Sequence, residues 1–389
     1  MTIPADRLRI LFVITSLQVG GAERMLLKLV SRMAPSHDLA VVSLAKRGAL
    51  ACEFEQAGAE VSALGMRGLQ STPAAIARLV HRIRAWRPQL MSTWMYHADL
   101  LGGLAARLTG LPPVAWNIRY GGLLNPQINR ATRVVIRTNA LLSGTLPKKI
   151  LCCSEAARRI HVEAGYRDDR FHVIPNGFDL QQFQPSAEAR TSVRQELGLS
   201  EDDLLIGLVA RWHPDKDQPG FIRAAAALGQ QYKNAHFVLV GDLCDTDNSS
   251  LVRLISEANL IGRAHLLGRR SDIPRITAAL DIATSSSIVE AFSNTLGEAM
   301  ACSVPCVTTD VGDSAYIVGD TGKVVPSQNP SALARAWAEL IAMPDTSRRE
   351  LGQRARKRVG EEFELDIVTR QYEAAFREII HESDSEPIK

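Results

Sequence analysis

The sequence has 389 residues, of which 46% are hydrophobic and 22% charged, and its formal net charge is +3. This length favours two compact domains, and this composition excludes an intrinsically disordered chain. No apolar run approaches the roughly 18 residues that span a bilayer, and the first residues lack the apolar core of a secretion signal, so a cytoplasmic protein is expected. The six cysteines show neither a disulfide framework nor the spacing of a zinc site, so no metal is expected.

Strand-like apolar runs alternate with helical stretches in two series. The first series places strands at 10–15, 40–44 and 90–94 and helices at 22–33, 73–86 and 100–108. The second places strands at 204–209, 237–240, 264–267, 282–285 and 305–308. This β-α-β order predicts doubly wound parallel sheets. The polar, turn-rich segment 176–186 is the predicted linker, and the last helix is expected near 368–380, followed by a loose tail from His381.

Two glycines, Gly20 and Gly21, follow the first predicted strand and open the first helix. Glycine lets the backbone approach a ligand closely, and a helix N-terminus favours a phosphate group. The dinucleotide fingerprint Gly-X-Gly-X-X-Gly is absent at this turn, which argues against a dehydrogenase. The loop is therefore a candidate contact for a phosphate-bearing ligand other than a dinucleotide.

A polar cluster that includes His97 and Asp99 lies between the strand at 90–94 and the next helix. The carboxyl end of a strand is where an open α/β sheet places its ligand-binding groups. His97 is therefore a candidate functional residue, and the alternative is a histidine that only packs in the core. Asp99 has the alternative of capping the following helix.

Residues 61–150 contain twelve Lys or Arg and a single acid, Asp99. A strongly basic region in a chain of small net charge favours an anionic partner, either phospholipid headgroups or a lipid diphosphate acceptor. No nucleic-acid-binding motif accompanies these charges, so nucleic acid is not an expected partner. A basic face that is merely solvated remains the alternative.

Two loops of the second half offer groups that bind phosphates. Arg211 and Lys216 lie five residues apart on the loop after the strand at 204–209. They can clamp a diphosphate, Arg211 through its guanidinium fork and Lys216 as a point charge. Asn176 lies in a turn that follows a short strand at Val173. Both loops would lie at the carboxyl ends of parallel strands.

The segment Ser285–Ala301 contains two glutamates, Glu290 and Glu298, separated by seven residues. It fits the end of a strand, a polar loop and a helix N-terminus, so its backbone N–H groups would face an anion. The loop residues expected to face a phosphate are Phe292, Ser293 and Asn294. As alternatives, Glu298 forms a capping box with Thr295, and Glu290 is a solvated loop charge.

The pattern Gly-X3-Arg-X4-Lys, which ends at Lys216, and the later Glu-X7-Glu followed by Ala-Met-Ala resemble the donor-binding half of family 4 retaining glycosyltransferases. Supporting stretches are Ile174–Gly177, Leu267–Pro274 and the region from Gly312 to Pro326. The resemblance implies the GT-B fold, an α/β architecture in which two Rossmann-like, doubly wound parallel-sheet domains face each other across a cleft.

The resemblance also implies how the chain is divided. It places an acceptor-binding domain at 1–175, with a C-terminal helix at 366–389 packing back on it, and a nucleotide-sugar-binding domain at 190–365. Catalytic roles fall on His97, Arg211, Lys216 and Glu290. Donor-binding roles fall on Gly20, Gly21, Asn176, Arg211, Lys216, Arg269, Ile273, Glu290, Phe292, Ser293, Asn294, Thr295 and Glu298. Acceptor-binding roles fall on Tyr96 and Arg119.

The implied function is retaining transfer of a sugar from a nucleotide diphosphate sugar, expected to be UDP-linked, to a lipid-linked or polysaccharide acceptor in cell-surface glycan biosynthesis, as in lipopolysaccharide. No cofactor or metal is expected, because Arg211, Lys216 and the helix N-terminus would stabilise the departing diphosphate. The basic domain would hold the enzyme at the cytoplasmic face of a membrane. The alternatives are another GT-B enzyme, either a nucleotide-sugar epimerase or a phosphorylase, and a non-catalytic protein that binds sugar nucleotide or membrane.

Overall fold

A computed structural model describes residues 7–123 and 128–385, and the chain divides into two units. Unit 1 comprises Met1–Gly177 and Leu365–Lys389, and unit 2 comprises Phe178–Glu364. Each unit is built on one parallel sheet with helices between its strands, which confirms the predicted α/β fold of two Rossmann-like domains. The residues predicted as a linker after Gly177 belong to unit 2, where Arg356 donates hydrogen bonds to the carbonyls of Leu180 and Phe183.

The sheet of unit 1 has seven strands in the order β3-β2-β1-β4-β5-β6-β7. The strands are β1 (Arg9–Ile14), β2 (Asp38–Ser43), β3 (Glu60–Ala63), β4 (Leu90–Trp94), β5 (Val114–Ile118), β6 (Lys149–Cys152) and β7 (Phe171–Val173). The helices are α1 (Gly21–Met33), α2 (Ala51–Gln56), α3 (Thr72–Trp86), α4 (Tyr96–Thr109), α5 (Arg130–Leu142) and α6 (Glu155–Glu163). The strand order reverses beside β1, which pairs with both β2 and β4, so a topological switch point lies there.

The sheet of unit 2 has six strands in the order β10-β9-β8-β11-β12-β13. The elements are α7 (Ala187–Leu197), β8 (Leu204–Val209), α8 (Gln218–Gln231), β9 (Ala235–Val240), α9 (Ser249–Glu257), β10 (Ala264–Gly268), α10 (Ile273–Ala278), β11 (Ile282–Ser285), α11 (Asn294–Ala301), β12 (Cys306–Thr309), α12 (Ser314–Val318), β13 (Gly322–Val325), α13 (Pro330–Ala342) and α14 (Asp345–Glu362). Here the order reverses beside β8, which pairs with β9 and β11.

Both sheets are covered on their two faces, which explains why their strands read as continuous apolar runs in the sequence. In unit 2, Trp337 of α13 is fully buried against Phe221 and Phe237, and its indole N–H donates to the Thr284 hydroxyl at 3.0 Å. Burying one such side chain contributes about 1.5–3 kcal/mol. The packed cores hold the strands in place. They therefore also set the positions of the polar loops that follow the strand ends.

The last helix, α15 (Leu365–Ser385), completes the core of unit 1. Its apolar residues Val368, Tyr372 and Phe376 are buried, and Phe376 packs against Phe12 of β1 with ring centroids 6.2 Å apart. The helix extends beyond the predicted 368–380 at both ends, and it begins one residue before position 366, where the resemblance places its start. The tail expected to be loose from His381 is helical through Ser385, where side-chain hydroxyls bond back to the preceding turn, and residues 386–389 lie outside the described residues.

Candidate active site

The loop between β8 and α8 carries the two predicted cations of unit 2. The Arg211 side chain is exposed, and within the described residues it forms no hydrogen bond or ion pair, whereas its backbone carbonyl accepts a bond from Gln218 at 2.7 Å. Asp217 caps α8 by accepting a bond from the Gly220 N–H at 2.9 Å. The loop backbone is therefore held on both sides, and the guanidinium of Arg211 is left available for an anion.

Lys216 and Glu290 form an ion pair between this loop and the loop after β11. The side chains are 26% and 13% exposed, so solvent screens the pair only in part. The Ser287 hydroxyl donates a second bond to the same carboxylate oxygen at 2.8 Å. Because β8 and β11 are neighbours in the sheet, two residues far apart in the sequence meet at its carboxyl-terminal edge.

The backbone around Glu290 is fixed by further contacts. The Ile288 N–H donates to the carbonyl of Asp215 at 2.7 Å, and the Ser286 hydroxyl donates to the carbonyl of Lys216 at 2.7 Å. Gly312 adopts φ +58°, and a Cβ there would lie 2.6 Å from the Glu290 carbonyl oxygen. Glycine is required at that position, because both the backbone angle and the space exclude a side chain.

Helix α11 begins at Asn294, with Ser293 as its N-cap residue, and the Ser293 side chain accepts no capping hydrogen bond. The alternative interpretation of Glu298, a capping box with Thr295 as N-cap, does not match the structure, because the N-cap is Ser293 and Glu298 is the fifth residue of the helix. Ser293 is buried, and Thr295 lies in the first turn. The start of α11 thus presents backbone N–H groups at the edge of the sheet that holds Glu290.

Phe292 does not face a ligand with its ring. The ring is 6% exposed, stacks on Phe178 with centroids 6.2 Å apart and meets the edge of Phe363 at 5.7 Å. A Cβ at Gly297 would overlap the Phe178 ring, so α11 lies directly against this aromatic cluster. The Phe292 side chain therefore packs behind the loop, and the predicted contact of this residue with a phosphate falls to its backbone.

The loop after β10 carries the two residues predicted near the nucleotide base. Arg269 is exposed, and Ile273 is half-buried as the first residue of α10. The adjacent Arg270 hydrogen-bonds Glu196 and Asp272 and holds the pKa of the Asp272 carboxyl well below its usual range. This ion-pair network braces the loop beside the exposed Arg269.

In unit 1, Gly20 is the N-cap of α1, and the carboxylate of Glu23 folds back over it. A Cβ at Gly20 would overlap Glu23 Oε2, and the Ser16 hydroxyl donates to Glu23 Oε1 at 3.4 Å. Burial raises the pKa of the Glu23 carboxyl. The sequence analysis missed Glu23, although its place three residues after the glycine that starts a helix was a usable signal.

His97 is half-buried on the first turn of α4, and burial lowers its pKa, so the ring is neutral at pH 7. The helix follows Met95, which adopts φ +75°, an uncommon conformation for this residue type. Asp99 is not the N-cap: it is the fourth residue of α4, it is buried, and it accepts a bond from the Thr93 hydroxyl at 2.5 Å. Burial raises the pKa of the Asp99 carboxyl well above its usual range.

Tyr96 is buried in unit 1, and its hydroxyl hydrogen-bonds His161 Nε2 at 2.9 Å. The other ring nitrogen of His161 lies 2.6 Å from the Ala157 carbonyl, and burial lowers the pKa of His161 to about 4. The neutral ring therefore donates from Nδ1 and accepts from Tyr96 at Nε2. The predicted acceptor-binding role of Tyr96 is corrected to a core role, because its only polar atom is buried and already paired.

Arg119 lies at the end of β5 and is half-buried. It donates to the Tyr372 hydroxyl at 2.8 Å and to the Asn176 carboxamide oxygen, and its guanidinium lies 4.9 Å from the Trp94 ring centroid. All three partners are neutral, and no carboxylate pairs with Arg119 in the described parts of the chain. Asn176, predicted to bind the donor, thus lies in unit 1 beside Arg119.

Two family models match the chain. The model described as "Glycosyltransferase Family 4" matches residues 19–182, and the model described as "Glycosyl transferases group 1" matches residues 189–358. Each model spans less than half of the chain, and both describe glycosyltransferases, so the chain is a glycosyltransferase that is similar to family 4. The two models together leave residues 1–18, 183–188 and 359–389 unmatched.

Named relatives agree with this family. EpsF of Bacillus subtilis (strain 168), provisionally named a glycosyltransferase, is 27% identical over 86% of this chain and 87% of its own length. The Escherichia coli UDP-Gal:alpha-D-GlcNAc-diphosphoundecaprenol alpha-1,3-galactosyltransferase is 27% identical over 59% of each chain. The crystal structure of Anabaena Alr3699/HepE in complex with UDP and glucose superposes with a TM-score of 0.83 at 24% identity, covering 95% of this chain and all of that one, which supports the fold.

Among residues 7–123 and 128–385, no three His, Cys, Asp or Glu side chains are grouped so that they could hold a metal ion. Over the same residues, no helix combines the length and apolar character that crossing a bilayer requires.

Proposed function

We propose that this glycosyltransferase moves a sugar from a UDP-linked donor to a lipid-linked acceptor, with retention of configuration, in the assembly of a cell-surface glycan. The observation that carries the proposal is the Lys216–Glu290 pair at the edge of the unit 2 sheet. Beside it in the same unit are the exposed Arg211 and the start of α11, where the N-cap residue Ser293 makes no side-chain capping bond. Together these groups offer positive charge and one carboxylate to a sugar diphosphate.

The proposed chemistry follows from where charge develops. As the glycosidic bond breaks, the sugar becomes oxocarbenium-like and the departing diphosphate gains negative charge. Arg211, Lys216 and the N–H groups of α11 are proposed to stabilise that charge without a divalent metal. When the ammonium of Lys216 turns toward phosphate, the Glu290 carboxylate can accept hydrogen bonds from sugar hydroxyls, and Glu298 from the ribose.

We assign retention to attack by the acceptor hydroxyl on the face from which the diphosphate leaves, since no residue is assigned as a nucleophile. Within unit 1, His97 is proposed to contact the transferred sugar as a neutral imidazole. Arg119 is proposed to bind acceptor phosphate, because its partners do not neutralise its charge. The name of the Escherichia coli relative, which specifies a UDP-linked donor and a diphospholipid acceptor, supports both substrate classes.

The test is a thermal-shift panel without metal, with UDP, GDP, ADP, dTDP and NAD. A ligand at 100 times its dissociation constant adds about 2.7 kcal/mol to the free energy of unfolding. UDP should raise the melting temperature, and Arg211→Ala should reduce the rise. The matched control is Arg253→Ala, an exposed arginine of the same unit that pairs only with Glu257 at 3.7 Å. Stabilisation by NAD alone, or an equal loss in both variants, would contradict the proposed donor site.

The acceptor is tested by product analysis. Incubation of the enzyme with labelled UDP-sugar and a membrane lipid extract should move the label into the organic phase. Label that stays in a free nucleotide sugar of changed configuration would indicate an epimerase, and label released as sugar phosphate on addition of inorganic phosphate would indicate a phosphorylase.

A further inference from the structure

Leu243 is an exposed leucine whose backbone has the left-handed conformation. It lies in the loop between β9 and α9, its φ is +59°, and the residue is 54% exposed. Glycine adopts this conformation readily, whereas the Cβ of any other residue makes it costly. The carbonyl of Leu243 accepts a hydrogen bond from the Asn248 carboxamide at 2.9 Å, which holds the loop in this shape. The strain is therefore kept at a side chain that lies mostly in solvent.

The backbone on either side of Leu243 is bonded to both neighbouring loops. The Trp212 N–H, in the loop after β8, donates to the Asp242 carbonyl at 2.8 Å. The Gly268 N–H, at the end of β10, donates to the Cys244 carbonyl at 2.8 Å. Both neighbours of Leu243 are thus fixed, so its side chain projects from a rigid support whose position is set before a ligand binds.

Leu243 lies between the residues assigned to the two ends of a nucleotide. The exposed Arg211 follows β8, the exposed Arg269 follows β10, and β9 pairs with both of these strands. Neighbouring strands are about 4.8 Å apart, so the ends of β8 and β10 are separated by roughly 10 Å. A nucleoside diphosphate with its diphosphate at Arg211 and its base near Arg269 therefore crosses the end of β9, which Leu243 follows.

The chemistry of this loop favours the neutral part of the nucleotide. From Gly241 to Asn248 the loop carries three acids and no Lys or Arg, and its apolar exposed residue is Leu243. Carboxylates repel a diphosphate, whereas an aliphatic side chain gains by covering the flat face of a planar ring. The nucleobase therefore fits over Leu243 better than the diphosphate does.

We propose that the Leu243 side chain packs against the face of the donor's nucleobase. The inference rests on the proposed function, because it takes the donor to be a nucleotide diphosphate sugar that unit 2 binds. It adds an apolar contact after β9 to the charged groups that follow β8 and β11. When the base binds, it removes the exposed leucine from water, and this burial offsets the strain of the loop.

The test measures the dissociation constants of UDP and of inorganic pyrophosphate for the full chain by isothermal titration calorimetry. Leu243→Asn removes the apolar side chain and introduces a residue type that tolerates positive φ, so the fold should be kept, which thermal unfolding without ligand checks. This variant should bind UDP about tenfold more weakly, the scale of half a buried leucine side chain, and pyrophosphate as the wild type does. Leu243→Met keeps an apolar side chain and should bind UDP nearly as well as the wild type.

The matched control is Ile261→Asn. Ile261 is a 75% exposed aliphatic residue that precedes β10, so it lies at the opposite edge of the same sheet and its loss should change neither dissociation constant. Normal UDP binding by Leu243→Asn, an equal loss in the control, or an equal loss for UDP and pyrophosphate would each overturn the contact and leave the donor site standing. No binding of UDP by the wild type would contradict the donor site and this contact together.

Discussion

The carboxyl-terminal edges of the two sheets are built from opposite kinds of polar group. In unit 1 the ionisable groups Asp99 and His161, on the helices that follow β4 and β6, are buried and neutral, as the direction of their pKa shifts indicates, and the charge beside them is that of Arg119 after β5. In unit 2 they are charged, with the Lys216–Glu290 pair and the exposed Arg211. The same topology therefore supports one edge that is fixed by packing and one that offers charge to a ligand.

The two edges differ in the charge of their polar groups because those groups differ in their exposure to solvent. Buried ionisable groups keep the uncharged form unless a partner compensates, so Asp99 and His161 serve as neutral hydrogen-bonding groups. The loops of unit 2 are partly open to solvent, which lowers the cost of keeping charges there. A charged edge can exchange an internal partner for a ligand phosphate, whereas a neutral, packed edge holds its geometry.

The largest expected effect comes from removing the charges of unit 2. Lys216→Ala or Glu290→Ala should lower the rate of sugar transfer at least about a hundredfold, the scale expected when a donor to the transition state is lost. The rate is measured with saturating labelled nucleotide sugar. Lys357→Ala and Glu361→Ala, which break an exposed pair of the same unit, should leave the rate near that of the wild type. Near-normal turnover in both active-site variants would contradict the assignment of Lys216 and Glu290 to the active site.

A smaller effect, a loss of folding stability, is expected when the packing of α11 against the aromatic cluster is disturbed. Gly297→Ala places a methyl group into the Phe178 ring and should cost about 1–3 kcal/mol in the free energy of unfolding, measured by urea titration. The matched control is Gly360→Ala, where the new Cβ would lie 3.4 Å from Leu180 and helix propensity favours alanine by up to about 1 kcal/mol. If the two variants were equally stable, the aromatic cluster would not be the support of α11.

The smallest expected effect is the change with pH in the stability that Asp99 of unit 1 contributes. The pKa of Asp99 is raised in the folded state, so between the unfolded pKa, about 4, and the folded pKa the native chain holds more protons than the unfolded chain. This contribution to stability is lost as pH rises through that window. Asp99→Asn removes the titration, so its melting temperature relative to the wild type should increase with pH.

The same series of melting temperatures against pH includes a group with the opposite pH dependence, His161, and a control variant, Asp320→Asn. His161 has a lowered folded pKa of about 4, so its contribution is lost as pH falls from about 6.5 toward 4, the opposite slope. Asp320→Asn, at a side chain that is 81% exposed, is the control for removing a carboxylate. If the Asp99→Asn difference did not grow with pH, or grew equally in the control, Asp99 would be ionised in the folded protein.

The sequence predicted the fold well because long apolar runs and short polar loops alternate regularly in both halves. It also predicted that the loops carrying Lys216 and Glu290 lie at the carboxyl ends of parallel strands, and the structure adds that the two side chains form an ion pair there. Both inferences depend on the regular alternation of strands and helices along the chain, and this alternation can be read from short stretches of sequence.

The contacts that the sequence did not predict depend on distant partners. Phe292 lies in a polar stretch of sequence, and only the folded structure brings Phe178 and Phe363 against its ring. Tyr96 was expected to bind the acceptor, but its hydroxyl is hydrogen-bonded to His161, 65 positions later in the sequence. The capping-box alternative for Glu298 differs for a local reason, because the N-cap of α11 is Ser293, two residues before Thr295.

Helix α15 has a consequence for biosynthesis. It covers the core of unit 1, yet it is encoded after all of unit 2. At 5–20 residues per second, translation of Phe178–Glu364 takes roughly 10–40 s, during which β1 and its neighbours have left the ribosome without their covering helix. The nascent chain can complete its second unit before its first, so the N-terminal half keeps part of its apolar core uncovered until α15 has been made.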